Sequence, residues 1–317
     1  MSIVKLLKKR HSRLLKENRG IRLEFMNLPN NQVTAVVLGT MQDGGLPHIG
    51  CRCSRCSAAY RDPAQMDYAA CLAIVDKRGS ETAVWLIDAT PDIKWQLDML
   101  AQELGPHPHR SGRIRQPDGI FLTHAHMGHI GGLPQLGPEA MAADQLPLYA
   151  TEKLVVLLKT TSLWQPAVSR LSLMAIKDGT STALGPDLTV TPLTVPHRDE
   201  WGVGTVAYYI QGPQKSLLYL PDIDNWEQWP QAGNWLSVVD TALVDASFYS
   251  AGELGGRGPV AHPLVIDTLH RFAHIPGQLV LTHFNHTNPV LDTIGPERAA
   301  VLSAGVSIAR RGMTFSL

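Results

Sequence analysis

Several features that assign proteins to broad classes are missing from this 317-residue sequence. The formal net charge is zero, with 28 basic and 28 acidic residues, so no overall field favours nucleic acid or an anionic membrane. No run approaches the ~20 apolar residues of a membrane span, and the N-terminus lacks the apolar segment of a secretory signal. We therefore expect a cytoplasmic protein with no membrane span and no nucleic-acid partner. The sequence sets no oligomeric state, and a dimer is compatible with it.

Cysteine is scarce as well, and its placement is uneven. The sequence holds four cysteines, of which Cys51, Cys53 and Cys56 fall within six residues. This spacing suits thiolates that converge on one metal ion better than it suits a disulfide framework. The remaining thiol, Cys71, lies in the apolar run 70–75 and is expected in the core.

Two phosphate-binding signatures are absent from the glycine-rich loop at residues 39–50. The loop has neither the lysine of a P-loop nor the glycine spacing of a dinucleotide-binding turn, so we interpret it as a wall of a binding site. Its polar residues Asp43 and His48 are candidates for substrate binding. His262 is a further candidate, although it could equally be a surface histidine at a helix start. Further pocket walls are expected from residues 201–204 and 247–262.

Apolar residues, in contrast, make up 44% of the sequence, which is ample for a packed core. Strand-like runs come first and later alternate with helical patterns, which predicts an α/β fold of two packed β-sheets with helices outside. We expect a single domain over residues 33–317. Residues 1–32 are predicted to form a basic extension, with an amphipathic helix at 5–16 and a strand at 21–25.

The predicted elements of the domain follow from these patterns. Predicted strands cover residues 33–38, 71–75, 83–87, 119–122, 188–195, 205–210, 216–220, 242–244 and 278–282, with one more at the C-terminus. Predicted helices follow residue 91, run through a punctuated helical stretch at 131–177, and cover 263–272 and 297–303.

The densest chemical signal is the run Thr-His-Ala-His-Met-Gly-His at residues 123–129. Three of the thirteen histidines, His124, His126 and His129, fall within six residues, directly after the apolar run 119–122. A strand presents side chains precisely, and neutral imidazole is the commonest protein ligand for zinc and related ions. The run therefore predicts a metal site.

Four more polar residues each follow an apolar strand. They are Asp88, His197, Asp222 and His283. Each alone could be a surface residue where a strand meets solvent. Together with the histidine run, they are expected to converge at one edge of the sheets.

Along roughly residues 33–317, the sequence resembles the metallo-β-lactamase superfamily in an ordered set: Asp88, the His-x-His-x-x-His run at 124–129, His197, Asp222 and His283. The resemblance implies an αβ/βα sandwich with metals in a cleft at one edge of the two sheets. Within the superfamily, the sequence is most similar to the pyrroloquinoline quinone biosynthesis protein B branch and to the related phosphodiesterase of phosphonate utilisation. The segments that carry this closer similarity are 37–40, 51–56 and 282–289.

The resemblance also implies two adjacent metal sites that share one carboxylate. The first-site ligands would be His124, His126 and His197, the second-site ligands His129 and His283, and the shared ligand Asp222.

Gly128 departs from the pattern of the hydrolytic members, which carry an aspartate ligand there. The departure predicts one tightly bound active-site metal and a weakly held second one. It also predicts that Gly128→Asp raises occupancy of the second site. If two metals bound tightly, Asp43 or a substrate group would have to replace the missing carboxylate.

Three imidazoles and one carboxylate can hold zinc, the expected ion, or iron or manganese, with a position left open for water. Zinc lowers the pKa of a bound water from 15.7 to about 7, which supplies hydroxide at neutral pH. We therefore expect a metal-dependent hydrolase of a small molecule, a phosphodiester or another small ester. Asp222 and His129 would act at the metals, and Asp88 would orient a ligand imidazole. The alternatives are an iron-dependent oxidation in quinone cofactor biosynthesis and a non-catalytic metal- or partner-binding role.

A separate structural zinc site is predicted at the cysteine run. Three thiolates need a fourth ligand to complete a tetrahedron, and Cys₃His is a known solution. His286, three residues beyond His283, is the best candidate, and the phosphonate-pathway relative looks similar here. The alternative is three reduced cysteines packed in a loop.

Overall fold

The computed structural model describes residues 28–255 and 261–317. The predicted helix at 5–16 and the predicted strand at 21–25 lie outside these residues. Within them, two seven-stranded sheets are present, and no helix is both long and apolar enough to cross a membrane. In chain order the strands are β1 (Val33–Gly39), β2 (Cys71–Asp76), β3 (Ala83–Ile87), β4 (Gly119–Phe121), β5 (Pro147–Thr151), β6 (Ser172–Ile176), β7 (Thr182–Gly185), β8 (Leu188–Val195), β9 (Thr205–Gln211), β10 (Ser216–Leu220), β11 (Thr241–Asp245), β12 (Gln278–Thr282), β13 (Ser307–Ile308) and β14 (Thr314–Ser316).

Each sheet is built mostly from one half of the chain. The first has the order β14-β1-β2-β3-β4-β5-β6, and the second has the order β13-β12-β11-β10-β9-β8-β7. Strands β3 to β6 run parallel to one another, as do β10 to β13. Parallel neighbours end at the same edge of a sheet, so their carboxyl ends are brought together there.

Helices cover the outer faces of both sheets. In the described residues they are α1 (Ser54–Arg61), α2 (Ile93–Met99), α3 (Ala101–Leu104), α4 (Met127–Ile130), α5 (Glu152–Thr160), α6 (Gln165–Val168), α7 (Ala232–Val238), α8 (Val265–Phe272) and α9 (Pro296–Ser303). Short 3₁₀ turns lie at Pro63–Gln65, Leu133–Leu136 and Pro289–Leu291.

Three apolar layers hold this arrangement together. The central layer joins the two sheets through side chains such as Ile74 and Tyr208, both fully buried. A second layer packs the first sheet against helices that include α2 and α5, and a third packs the second sheet against α7 and α8. Because β2 and β10 are buried on both faces, they are continuous apolar runs rather than alternating ones. The predicted αβ/βα sandwich is therefore confirmed.

Most predicted element bounds agree with the structure, but the helical stretch expected at 131–177 is wrong in part. It contains the strands β5 and β6, which continue the first sheet in parallel beyond β4. In β5, Leu148 and Ala150 are buried while their neighbours are half-buried, a period of two that fits a strand. Pairing with a distant strand overrides local propensity in such a short segment. Helices α1 and α7 and the strand β7 were not predicted.

Two residues at strand ends adopt the left-handed backbone region. Asp88, directly after β3, has φ +76°, and His283, directly after β12, has φ +61°. This region costs roughly 1 kcal/mol or more for residues other than glycine and is concentrated at functional sites. The turn in the chain at both positions directs a polar side chain across the shared edge of the sheets.

Candidate metal centre

The first cluster of the centre consists of three buried imidazoles. His124 and His126 follow β4, and His197 follows β8. His126 Nδ1 lies 2.9 Å from His124 Nε2 and 3.3 Å from His197 Nε2. Nitrogen ligands on one tetrahedral zinc, with bonds of 2.0–2.1 Å, lie about 3.3 Å apart. The three nitrogens therefore have the spacing of a shared metal ion.

Protonation of this cluster also suits metal binding. Burial lowers the pKa of the His124 imidazole well below its usual range, and the charge of the nearby His129 lowers it further. Burial also lowers the pKa of His197, against the opposing charge of Asp222. Neutral imidazole is the form that binds metals.

Asp222, which follows β10, lies between this cluster and a second one. Its Oδ1 is 3.5 Å from His197 Nε2, while its Oδ2 is 3.1 Å from His129 Nε2 and 3.2 Å from His283 Nε2. Burial alone would raise the pKa of Asp222, but the charges of His283 and His129 lower it well below its usual range. One ionised carboxylate thus faces imidazoles on both sides.

His129 has a carboxylate on each side of its ring. Nδ1 lies 2.7 Å from Oδ2 of the fully buried Asp88, whose Oδ1 accepts a hydrogen bond from Thr123 N at 2.8 Å. Nε2 lies near Asp222 Oδ2 and 3.4 Å from Asp43 Oδ1. Burial works to lower the pKa of His129, but Asp88 and Asp222 raise it well above its usual range. A cation among these carboxylates would take the place of the proton on Nε2.

Asp43 is the most exposed member of the second cluster, with 44% of its side chain accessible. Burial works to raise the pKa of Asp43, but the hydrogen bond and charge of His129 lower it to about 2. The possible ligand atoms of Asp43, His129 and His283 all lie within 4.8 Å of one another.

Two buried polar atoms support the presence of a cation in the functional protein. Asp222 Oδ2 and His283 Nε2 are buried, and neither makes a hydrogen bond to a described residue. Such groups are costly unless a partner satisfies them. The donor set, imidazoles with one shared carboxylate, therefore fits a divalent metal.

His262 lies in the centre rather than on the surface. It is 8% exposed, and its Nδ1 lies 2.7 Å from Oδ2 of the buried Asp245, which ends β11. Asp245 is fixed in turn by hydrogen bonds from the backbone N–H groups of Ser247 at 3.0 Å and Ile223 at 3.2 Å. Burial works to lower the pKa of His262, but Asp245 raises it to about 9. Burial works to raise the pKa of Asp245, and the charge of His262 lowers it to about 2.

A cavity of about 170 Å³ opens onto the centre. Its lining is polar and consists of Gln42, Asp43, Gly44, His48, His126, Arg198, Asp222, His262 and His283. All three residues proposed from the sequence as substrate contacts are among them. His126 also contacts the loop after β8: Glu200 Oε2 lies 2.8 Å from His126 Nε2, and the Trp201 ring lies 6.1 Å from the His126 ring.

The cysteine cluster lies next to the centre. His286 Nδ1 is 3.8 Å from Cys51 Sγ, 3.8 Å from Cys53 Sγ and 3.5 Å from Cys56 Sγ. In a tetrahedral site with Zn–S of about 2.3 Å and Zn–N of about 2.0–2.1 Å, sulfur and nitrogen lie about 3.6 Å apart. The four residues therefore have the spacing of one Cys₃His ion. Cys71 lies elsewhere, fully buried in the core as expected.

Several residues of the centre were not identified from the sequence. Asp245 could have been, since it ends an apolar strand just as the four identified residues follow one. Glu200, Arg198 and Asp224, whose Oδ1 lies 3.0 Å from His197 Nδ1, come from loops without a periodic pattern and gave no signal.

Comparison with known families agrees with this geometry. A family model described as a β-lactamase superfamily domain matches residues 85–284, which hold both histidine clusters. The chain belongs to the β-lactamase superfamily. Among superfamily members, coenzyme PQQ synthesis protein B of Methylorubrum populi is 27% identical over 308 residues, covering 89% of this chain and 99% of that protein. The protein of that name from Cupriavidus necator is 27% identical over 311 residues, covering 89% and 98%.

Solved structures of the superfamily share the fold. Zn²⁺-bound PqqB from Methylobacterium extorquens aligns with a TM-score of 0.75 at 24% identity, covering 90% of this chain and all of that one. A diphosphatase of the PhnP family aligns with a TM-score of 0.66 at 22% identity, covering 90% and 97%. At these identities the alignments support the fold alone.

Proposed function

We propose that this protein is a metal-dependent hydrolase of a small phosphodiester or a similar phosphate ester. The observation that carries the proposal is the position of Asp222, buried between two imidazole clusters and open to a polar cavity. An arrangement in which one carboxylate bridges two metals suits hydrolysis, because the ions together stabilise the attacking and leaving oxygens. The superfamily relationship to a diphosphatase of known structure is in keeping with this reaction class.

The cavity favours a compact anionic substrate. At about 170 Å³ it is smaller than the ≈ 300–1,000 Å³ of sites for drug-sized ligands. Arg198 supplies a guanidinium, whose N–H groups match phosphate oxygens in pairs. His48 and Gln42, which also line the cavity, offer further hydrogen bonds. We infer that the scissile phosphate enters the cavity while the rest of the substrate stays near its mouth.

A divalent ion held by the two clusters would lower the pKa of a bound water and polarise a phosphoryl oxygen. Asp88 acts through His129, since its carboxylate fixes the ring so that Nε2 faces the centre. Asp224 Oδ1 lies 3.0 Å from His197 Nδ1, close enough to orient that ring by charge. These contacts preserve ligand geometry, and the loss of such partners typically costs 10–100-fold in metal affinity or activity.

His262 is proposed to deliver a proton to the leaving oxygen. Asp245 holds Nδ1, and Nε2 faces the cavity, where it accepts a hydrogen bond from the Gln42 amide Nε2–H at 3.3 Å. Nε2 takes up a proton when the substrate displaces this amide. Burial works to lower the pKa of His262, but the charge of Asp245 raises it to about 9, which favours uptake of that proton. A positioned acid of this kind typically contributes 10²–10⁴-fold to the rate.

The cysteine cluster is proposed to hold a structural zinc through Cys51, Cys53, Cys56 and His286. Three backbone N–H groups donate to its sulfurs at 3.4 Å, from His48 to Cys56, from Cys53 to Cys51 and from Cys56 to Cys53. Hydrogen bonds of this kind stabilise thiolates. Four protein ligands leave no open position for substrate, as in closed structural sites.

The test is hydrolysis of bis(p-nitrophenyl) phosphate by purified protein, before and after chelation and with Zn²⁺ or Mn²⁺ restored. We expect turnover that chelation removes and metal restores, and that Asp222→Asn abolishes. Asp144→Asn, the same chemical change at an exposed ion pair with Arg170, is the matched control and should retain activity. Metal-loaded protein that hydrolyses neither this diester nor p-nitrophenyl phosphate would contradict the proposal.

A second candidate is supported by the relatives named for synthesis of coenzyme PQQ, which align over nearly their full length. On this alternative, the centre would hold iron and support an oxidation in quinone cofactor synthesis. Oxygen uptake by the Fe²⁺-loaded protein in the presence of a quinone precursor, without phosphodiester turnover, would favour this second candidate.

A further inference from the structure

Gly128 and Asp43 compete for one position in the second cluster. A Cβ atom at Gly128 would lie 2.1 Å from Asp43 Oδ1 and 2.5 Å from Asp43 Cα. Both distances are far below van der Waals contact, and one of them involves backbone, which cannot rotate away. No side chain fits at 128 while Asp43 holds its present position.

The carboxylate of Asp43 is in turn directed at the second cluster. Its Oδ1 lies 3.4 Å from His129 Nε2, close to the about 3.3 Å between ligands of one tetrahedral ion. The possible ligand atoms of Asp43, His129 and His283 all lie within 4.8 Å of one another. Asp222 Oδ2 lies 3.1 Å from His129 Nε2 and 3.2 Å from His283 Nε2. Asp43 adds a second negative charge to that of the shared Asp222, which favours a divalent cation at this position.

The loop that carries Asp43 is fixed to the strand end that carries His283. Gln42 N donates to Phe284 O at 2.9 Å, and Phe284 N donates to Thr40 O at 2.7 Å. Asn285 Nδ2 also donates to Gln42 Oε1 at 2.8 Å. Asp43 and His283 are therefore held in one rigid loop pair, as two ligands of the same ion must be.

We propose that Asp43 is the carboxylate ligand of a second active-site metal, in the place that residue 128 occupies in the hydrolytic relatives that the sequence resembles. The second site then has Asp43, His129, His283 and the shared Asp222. This proposal replaces the expectation of a weak second site, which rested on Gly128 alone. It also reverses the expected effect of Gly128→Asp, because the new side chain would collide with Asp43. The inference rests on the proposed function only in requiring metals at Asp222.

The first test measures metal binding rather than turnover. Protein stripped of its active-site metals is titrated with Zn²⁺ by calorimetry, and bound metal is counted after desalting, with the cysteine-site zinc subtracted. Wild type should bind two active-site equivalents. Asp43→Asn keeps the shape of the side chain and removes its charge, and it should weaken the binding of one of them at least about 10-fold. Replacing a residue that only hydrogen-bonds to a metal ligand already lowers metal affinity by that much. Asp144→Asn, the same chemical change at an exposed ion pair with Arg170, is the control and should leave both equivalents intact.

The second test transfers the carboxylate from residue 43 to residue 128. Gly128→Asp alone should lose the second equivalent, because its side chain and Asp43 cannot share the space. Adding Asp43→Gly to it should restore that equivalent.

Either of two results would overturn the proposal: a wild type that binds one active-site equivalent, or an Asp43→Asn variant with unchanged affinities. Both readouts are independent of catalysis. A protein that binds two metals through Asp43 yet hydrolyses no phosphate ester would refute the proposed function and leave this inference standing.

Discussion

The cysteine cluster and the histidine–carboxylate centre lie side by side, yet they are built in opposite ways. Three of the four cysteine-cluster ligands come from six consecutive positions, 51–56, which cover the turn before α1 and the first turn of that helix. The centre gathers its ligands from the ends of β4, β8, β10 and β12 and from the loop after β1. The cysteine cluster offers four protein donors, whereas the centre includes carboxylates and opens onto a polar cavity. A closed tetrahedral set suits a structural ion, and an open set suits catalysis.

The two regions are also connected. His48 lines the cavity and packs on His286 of the cysteine cluster, with ring centroids 4.7 Å apart. Arg55 of α1 hydrogen-bonds to the carbonyl of His286 and to Asp292 at 2.7 Å. An ion in the cysteine cluster would thus fix the segment that follows His283. The difference between the regions can therefore be tested by removing one site and measuring the other.

Removal of the cysteine site should give the largest effect on stability. Cys53→Ser is expected to release one zinc and to destabilise the fold, because structural zinc contributes folding free energy directly. A loss of about 2 kcal/mol would lower the Tm of a chain this size by roughly 3 °C. Metal content and thermal unfolding measure both effects. Cys71→Ala, a buried cysteine outside the cluster, should keep all metal, and full metal retention in Cys53→Ser would refute the site.

Removal of the shared carboxylate should act on the centre alone. Asp222→Asn is expected to weaken active-site metal binding by at least about 100-fold. Replacing a residue that only hydrogen-bonds to a ligand lowers metal affinity 10–100-fold, and the loss of a charged ligand itself should be larger. The cysteine-site zinc and the Tm should remain near those of wild type. If Asp222→Asn bound both active-site metals normally, the bridging arrangement would be wrong.

These contrasts also show what sequence could and could not predict. The histidine run, the cysteine run and the four strand-end residues were visible because strands present polar residues at their ends, in sequence order. The resemblance to the superfamily then identified the fold. The short strands β5 and β6 were missed, since the pairing of β5 with β4 and of β6 with β5, and not local propensity, makes them strands.

The role of Asp43 could not be read from its own neighbourhood. A lone aspartate in a glycine-rich loop has many possible roles. Its role as a metal ligand is indicated only by its contact with Gly128, which lies 85 residues away in the sequence. The pairing of His262 with Asp245 was missed for the same reason: the two residues meet only when β11 and the following loop are folded.

A smaller effect is expected for His262, and it should depend on the leaving group. His262→Gln should lower kcat by about 100-fold for an alkyl phosphodiester but less than about 10-fold for a p-nitrophenyl one, because p-nitrophenolate needs little protonation. Kinetics with both substrates provide the measurement. His48→Asn is the control, a cavity histidine without a carboxylate partner, and should show no such split. Equal losses for both substrates would mean that His262 only positions the substrate.

The smallest effect is the pH dependence of stability that the His262–Asp245 pair contributes. In the folded protein the pKa of His262 is raised from 6.5 to about 9, and that of Asp245 is lowered from 3.8 to about 2. The pair therefore contributes its full share to the free energy of unfolding between pH 3.8 and 6.5. This contribution is lost as the pH rises through about 9 or falls through about 2. In metal-depleted protein, the difference in unfolding free energy between wild type and His262→Gln should shrink from pH 6.5 to 9. A constant difference would contradict the pairing.

The central claim is that one shared carboxylate, Asp222, lies between two metals, and that Asp43 supplies the carboxylate ligand that Gly128 cannot. Anomalous diffraction at the zinc edge from crystals of the Zn²⁺-loaded protein tests it most directly. The account predicts three peaks per chain, one enclosed by Cys51, Cys53, Cys56 and His286 and two on either side of Asp222, the second within bonding distance of Asp43. A single peak beside Asp222, or a second peak that Asp43 does not touch, would contradict it.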